Sequence, residues 1–264
     1  LELRERIREE LATRMLASPG LGNLPSQNGI ACTMTSLCAA ALGLTNYDDM
    51  VDGQLDRVRR AHLLLAAFNA LLPGVFAISG WDIVGAVPLP PSAVVNLLAD
   101  GDTRWVNRGA YALRTPAEDA QAELPAARSL YGSLEDQLSQ PGSFANRLRY
   151  ILEQRGTFRI AESEYLGAPD TGNPAVLSVL LRLPDEAGVL ICAFNFSGEE
   201  QQTAIGPLLG LSEGGAPAVF VRDILSDEAP EEAIFDTGRP VRMGPHNFRA
   251  LLAPGDLLSY LSVT

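Results

Sequence analysis

The sequence predicts an α+β chain: a mostly helical first part, residues 1–157, followed by an antiparallel β-sandwich over residues 158–264. Three observations carry this. Apolar residues recur three and four apart through most of the first part, and a single continuous apolar run, VFAIS at Val75–Ser79, interrupts that pattern. Beyond about residue 157 the period switches to two, in short runs separated by polar turns.

Residues 1–17 place Leu3, Ile7, Leu11 and Met15 four apart, with Glu2–Arg6 and Glu10–Arg14 spaced as i,i+4 ion pairs on the surface. This predicts an amphipathic helix, stopped by Pro19 and Gly20. The stretch GLGNLPSQNG carries enough Gly, Pro and Asn for a loop. A second helix is expected through ACTMTSLCAAALG, where Ala31, Ser36, Ala39, Ala40 and Ala41 suit close packing and Gly43 is placed to end it. Asn46 or Asp48 is positioned to cap a third helix over about Leu55–Leu72, nearly all apolar toward its end, as a helix lying deep against a sheet would be.

Pro73 and Gly74 follow, and then VFAIS, whose continuous rather than alternating apolar character predicts a strand buried on both faces. The next 75 or so residues offer helices, Pro-rich loops (VPLPPS) and polar turns, but no second strand-like run. Buried, unpaired backbone groups cost about 1–3 kcal/mol each. The strand's partners are therefore expected elsewhere, most simply before Leu1. PGSFANRLRYILEQR predicts one more helix, with Phe144, Leu148, Ile151 and Leu152 on one side and Arg147, Arg149 and Arg155 largely on the other. The runs AVLSVLLRL, GVLICAFNF, QQTAI, AVFVRDIL and FRALLAP then read as consecutive antiparallel strands.

Composition narrows the chemistry. The 264 residues carry a formal charge of −12, and all 20 basic residues are Arg, so an electrostatic grip on nucleic acid or anionic lipid is not expected. The lack of Lys excludes a P-loop lysine and a Schiff-base lysine. Cys32, Cys38 and Cys192 form no CxxC pair and have only His62 and His246 as distant co-ligands, so no metal site and no cofactor are expected. The thiols read as small buried hydrophobes in a reducing, cytoplasmic setting. The longest apolar stretch, near Leu63–Leu72, falls short of the roughly 20 residues that span a bilayer. The opening LELRERIREE has neither Met nor the order of a secretion signal, and is expected to lie inside a longer protein.

The order of parts resembles the carboxy-terminal portion of the α-amylase superfamily of glycoside hydrolases (family 13), most of all its trehalose synthase (maltose α-D-glucosyltransferase) branch. The residues that carry this are LLPGVFAISGWD as the end of a helix plus a barrel strand, DGDTRW in the following loop, the helix NRLRYILEQR, and the strand pair in VLICAFNFSGEEQQTAI. SGWD departs from the commoner Tyr-Gly-Asp-Glu ending, and RWVNRG from the usual Arg-x-Pro-Met-x-Trp. The resemblance implies an α+β fragment: the mostly helical end of a (β/α)8 barrel, holding its last β/α unit, and then the C-terminal β-sandwich. It also implies an active site at the carboxyl ends of the barrel strands and a retaining mechanism with two carboxylates. The family's Arg-x-Asp, strand-end Glu and Asn-His-Asp motifs have no match here, and the one Asn beside a His, at His246–Asn247, is in the reverse order.

No catalytic residue is therefore expected in this chain. Substrate contact is assigned to Trp81 and Asp82 at the strand end and to Asp102 and Arg104 in the loop, an indole stacking on a pyranose and polar groups meeting sugar hydroxyls. The same positions admit plainer roles, a capping Asp and core Trp81 or Trp105. His62 reads as a satisfied buried histidine and His246 as part of a surface turn, while the pairs Asp48/Asp49, Glu199/Glu200 and Glu231/Glu232 read as solvated. The expected function is that of a C-terminal piece, inactive alone, of an enzyme that transfers or hydrolyses α-glucosyl units, its parent interconverting maltose and trehalose. Its partners would be the remainder of the barrel and an α-glucan or disaccharide. The competing expectation is a noncatalytic carbohydrate-binding or interaction module with a self-sufficient core.

Overall fold

A computed structural model of the chain describes residues 2–27, 29–111, 113, 125–209, 220–226, 234–236 and 240–260. They fall into two compact units: Leu1–His62 with Ile78–Arg147, and Leu63–Ala77 with Leu148–Thr264. Residues 63–77 and 148–157 group with the second unit.

In the first unit, helix α1 (Glu2–Leu16) forms with the expected Glu10–Arg14 pair at 3.1 Å, and Met15 is buried while Leu11 is exposed. The stretch expected to be a loop folds instead as a short antiparallel hairpin, β1 (Leu24–Ser26) with β2 (Gly29–Ala31). Its three-residue strands are too short to leave a periodicity. Helix α2 (Met34–Ala41) starts at a capping box: the Ser36 amide donates to Thr33 Oγ1, and the Thr33 amide to Ser36 Oγ. It ends through Gly43, whose positive φ of 78° turns the chain so that the Leu44 amide reaches the Ala39 carbonyl. Helix α3 (Gln54–Ala70) is capped by neither Asn46 nor Asp48. Asn46 Oδ1 closes a turn on the Asp48 amide, Asp48 pairs with Arg128, and the Gln54 side chain takes the Val51 amide. A core of Ala31, Leu89, Val94 and Val106, flanked by Leu24, Leu97, Leu98 and Ala127, closes this part of the unit.

Val75–Ser79, expected as a buried barrel strand, is neither strand nor buried: it has no regular structure and Val75 is 96% exposed. β-propensity yields a strand only where a neighbour supplies ladder hydrogen bonds, and no described strand pairs with this segment. Its start is held by side-chain chemistry. Arg155, on α6 (Phe144–Thr157), was expected largely on the side opposite the apolar residues, and it is 8% exposed. Its guanidinium donates to the carbonyls of Ala70, Leu72 and Gly74, and the Gly74 amide bonds the Ala161 carbonyl. The cation lies at the negative end of α3, where carbonyls lack intrahelical partners.

The second unit holds a six-stranded antiparallel sheet in the order β3-β4-β5-β10-β7-β8: Glu164–Gly167, Val176–Arg182, Val189–Asn195, Asn247–Ala253, Phe220–Asp223 and Ile234–Asp236. β5 is buried along its whole length, which explains its unbroken apolar run. On one face Val176, Leu180, Ile191, Ala193, Val221 and Leu251 share a core with Val241 and Met243 of a second, two-stranded sheet, β6 (Gln201–Ala204) with β9 (Pro240–Met243). Helix α7 (Ile205–Leu208) adds Ile205 and Leu208 to it. On the other face Phe194 meets Phe68 edge to face at 5.3 Å. Four of the runs read as strands contain β4, β5, β6 and β7, and the fifth holds all of β10 but its first residue, Asn247; β3, β8 and β9, only three or four residues each, escaped the pattern.

Candidate functional site

The segment Ser79-Gly80-Trp81-Asp82 folds as one turn of helix, α4 (Gly80–Ile83), because its sequence is a capping box. The Ser79 hydroxyl takes the Asp82 amide at 3.3 Å and donates to Asp82 Oδ2 at 2.9 Å, and the Ser79 amide bonds Oδ2 at 3.4 Å. Asp82 therefore has the capping role that was its plainer reading, as the third helical residue rather than the cap itself, and its carboxylate side chain keeps 22% exposure. Two tyrosines hold the turn. A Cβ on Gly80 would lie 2.3 Å from Tyr111 Oη, and one on Gly85, at φ 63°, would lie 2.6 Å from the Tyr131 ring. Both positions require glycine for close approach. Trp81 donates its indole N–H to the Gly109 carbonyl at 3.2 Å and stands edge-on to Tyr111 at 5.8 Å.

Beneath Asp82 lies His62, 1% exposed, on α3. Its Nδ1 is 3.1 Å from the Tyr131 hydroxyl and its Nε2 is 3.9 Å from Asp82 Oδ1. The imidazole also packs on Phe144 at 4.7 Å. Burial pushes the His62 pKa down to about 4 against the opposing pull of Asp82, so the ring is neutral at pH 7. On α2, burial and then Asp82 push the Cys38 thiol up to about 12. Expecting a satisfied buried histidine was right, but composition contains no sign that its partners are Tyr131 and Asp82.

Asp102 and Arg104 form a separate feature. Asp102 caps the 3₁₀ turn Thr103–Asn107, accepting from the Arg104 amide, while the Arg104 guanidinium grips its carboxylate with Nε at 2.7 Å and an η nitrogen at 2.9 Å. That clamp, first through its side-chain hydrogen bonds, holds the Asp102 carboxyl at about 2. Both residues line a polar cavity of 280 Å³ with Ser26, Gln27 and Thr103, and the Thr103 hydroxyl anchors to the Pro25 carbonyl at 2.6 Å. Trp105 lies under the Arg108 guanidinium at 4.7 Å. Among the described residues no hydrogen bond, ion pair or ring contact joins Trp81 or Asp82 to Asp102 or Arg104, so the four expected contacts form two pairs rather than one cluster.

Elsewhere, His246 occupies a turn at φ 50° as expected but is 9% exposed rather than a surface residue. Asp48, Asp49, Glu199 and Glu200 are exposed, while Glu231 and Glu232 lie outside the described residues. Among the described residues no group of three or more His, Cys, Asp or Glu is arranged to hold a metal ion, and no helix is long and apolar enough to cross a membrane.

No family model and no curated protein matches the chain. Solved structures do. Trehalulose synthase MutB from Pseudomonas mesoacidophila MX-45 superposes with a TM-score of 0.53 at 12% identity, over 74% of this chain and 38% of the enzyme's. A mutant isomaltulose synthase from Erwinia rhapontici NX5, in complex with D-glucose, gives 0.52 at 13% identity with the same coverage. A MutB mutant in complex with sucrose gives 0.52 at 12%. The likeness is one of fold. The chain spans 38% of the length of these enzymes.

Proposed function

We propose that this chain is a piece of an α-glucosyl-processing enzyme of the α-amylase superfamily, the helical end of the barrel and the terminal sandwich, in which Trp81 and Asp82 meet the sugar. The observation that carries the reading is the superposition of three quarters of the chain on little more than a third of enzymes solved with sucrose or D-glucose bound. Asp82 offers a partly exposed carboxylate beside an indole fixed by a hydrogen bond, the pairing of acceptor and flat apolar face that pyranose recognition uses. Asp102 and Arg104 form a second, more exposed polar contact. The parent reaction is transfer of a glucosyl unit with retention, interconverting maltose and trehalose or isomerising another α-glucosyl disaccharide such as sucrose. The carboxylates for that chemistry belong to the remainder of the barrel.

The purified chain is expected to leave maltose and sucrose unchanged, and the chain joined to whatever coding sequence precedes it to convert at least one of them, as followed by chromatography of the sugars. Turnover by the chain alone refutes the reading. A second reading, a noncatalytic sugar-binding module, is favoured by one observation: no described strand pairs with Val75–Ser79, while the six-stranded sheet finds its partners within the chain. It predicts calorimetric binding of maltooligosaccharides by the purified chain with no gain on extension.

A further inference from the structure

Asp82 is gripped from one side only by its own turn: Ser79 occupies Oδ2, which leaves Oδ1 directed toward His62. The imidazole cannot choose its tautomer freely. Tyr131 reaches Nδ1, and the Tyr131 ring is itself fixed by the bare Gly85 backbone beneath it and by Phe144 at 5.2 Å. With the Tyr131 hydroxyl donating to Nδ1, the ring proton sits on Nε2 and faces the carboxylate. The other tautomer would set an Nε2 lone pair against Oδ1. At 3.9 Å the contact is longer than a hydrogen bond and acts through the N–H dipole. Among the described residues the groups around the pair include the Cys38 thiol and the Thr35 hydroxyl from α2 and Arg59 from α3, whose guanidinium carbon lies 5.7 Å over the Tyr131 ring.

We propose that His62 is the positioning residue of Asp82: anchored by Tyr131, it presents Nε2–H to Oδ1 and fixes the rotation of the carboxylate that meets a sugar hydroxyl. The proposal rests on the reading of Asp82 as a sugar contact, deepening it by naming what aims that contact. Nothing in SGWD points to it, because His62 lies twenty residues earlier in the chain and Tyr131 is 69 residues from His62.

The test uses the whole chain and separates the two claims. Imidazole ¹⁵N spectra are expected to show His62 as the neutral Nε2–H tautomer between pH 5 and 8. Asp82→Asn, which removes the charge and keeps the shape, is expected to move the His62 titration midpoint below its wild-type value by about one unit or more. A mixture of tautomers, or a midpoint that Asp82→Asn leaves in place, overturns the proposal. The consequence for sugar is read from the shift of the Trp81 indole N–H on adding maltose. His62→Phe, which keeps the ring packing and loses both nitrogens, is expected to weaken that response about five- to tenfold, and His62→Gln to restore most of it. An equal response in wild type and His62→Phe overturns the positioning role. An indole N–H unmoved by maltose in the wild type, together with the expected tautomer and midpoint shift, refutes the sugar reading and leaves the His62–Asp82 coupling standing.

Discussion

Replacing Arg155 with Met keeps the length and apolar stem of the side chain and removes its donors. The guanidinium serves three carbonyls, those of Ala70, Leu72 and Gly74, at the end of α3 and the start of the unpaired segment. Hydrogen bonds to a charged donor contribute about 1.5–3 kcal/mol each, so the gross loss is roughly 5–9 kcal/mol. The cost of holding a guanidinium out of water offsets part of this and brings the expected destabilisation to about 3–5 kcal/mol. Arg155→Lys, a single ammonium without the fork, should recover less than half. Urea unfolding followed by far-UV circular dichroism measures the change, and amide exchange at Gly74, whose N–H bonds the Ala161 carbonyl, localises it. Both tryptophans, Trp81 and Trp105, lie in the first unit, so their fluorescence is the wrong probe for this change. A loss under about 1 kcal/mol, or protection at Gly74 unchanged in Arg155→Met, would show that the guanidinium sits among the carbonyls without organising them.

Gly85→Ala places a Cβ at 2.6 Å from the Tyr131 ring in a positive-φ backbone, and is expected to lower stability by about 2–4 kcal/mol and to displace Tyr131 from His62. Thermal unfolding with imidazole spectra checks both effects. His62 has a folded-state pKa near 4 against an ordinary 6.5, so below pH 6.5 the unfolded chain takes the proton first and stability falls as pH drops toward 4. The full effect approaches about 3 kcal/mol, and a pH–stability slope that persists unchanged in His62→Phe would assign it to other groups. For Asp102 the depression runs from 3.8 to about 2, so its clamp on Arg104 is complete above pH 3.8 and is lost as pH falls through 2. Arg104→Ala should return the Asp102 carboxyl titration toward 3.8 by NMR, with little change in stability for so exposed a pair.

What could be read from sequence was what neighbours along the chain enforce. The four-residue spacing of α1, the Gly43 end of α2, the apolar length of α3 and the unbroken Val189–Asn195 run each depend on contacts a few residues away or on burial by any apolar partner. The Ser79–Asp82 capping box was equally local, and its S-x-x-D spacing was there to be read beneath the stronger impression of a strand ending. Tertiary structure decided the rest. Val75–Ser79 has the composition of a strand, yet ladder hydrogen bonds come from another strand, and none of those described lies beside it. Arg155 has the composition of a surface residue, yet the open carbonyls of α3 draw it inside. His62 became the partner of Asp82 only when Tyr131 was brought to its other nitrogen. Periodicity records which face a residue turns; which group it meets there is set by parts of the chain that no local pattern connects.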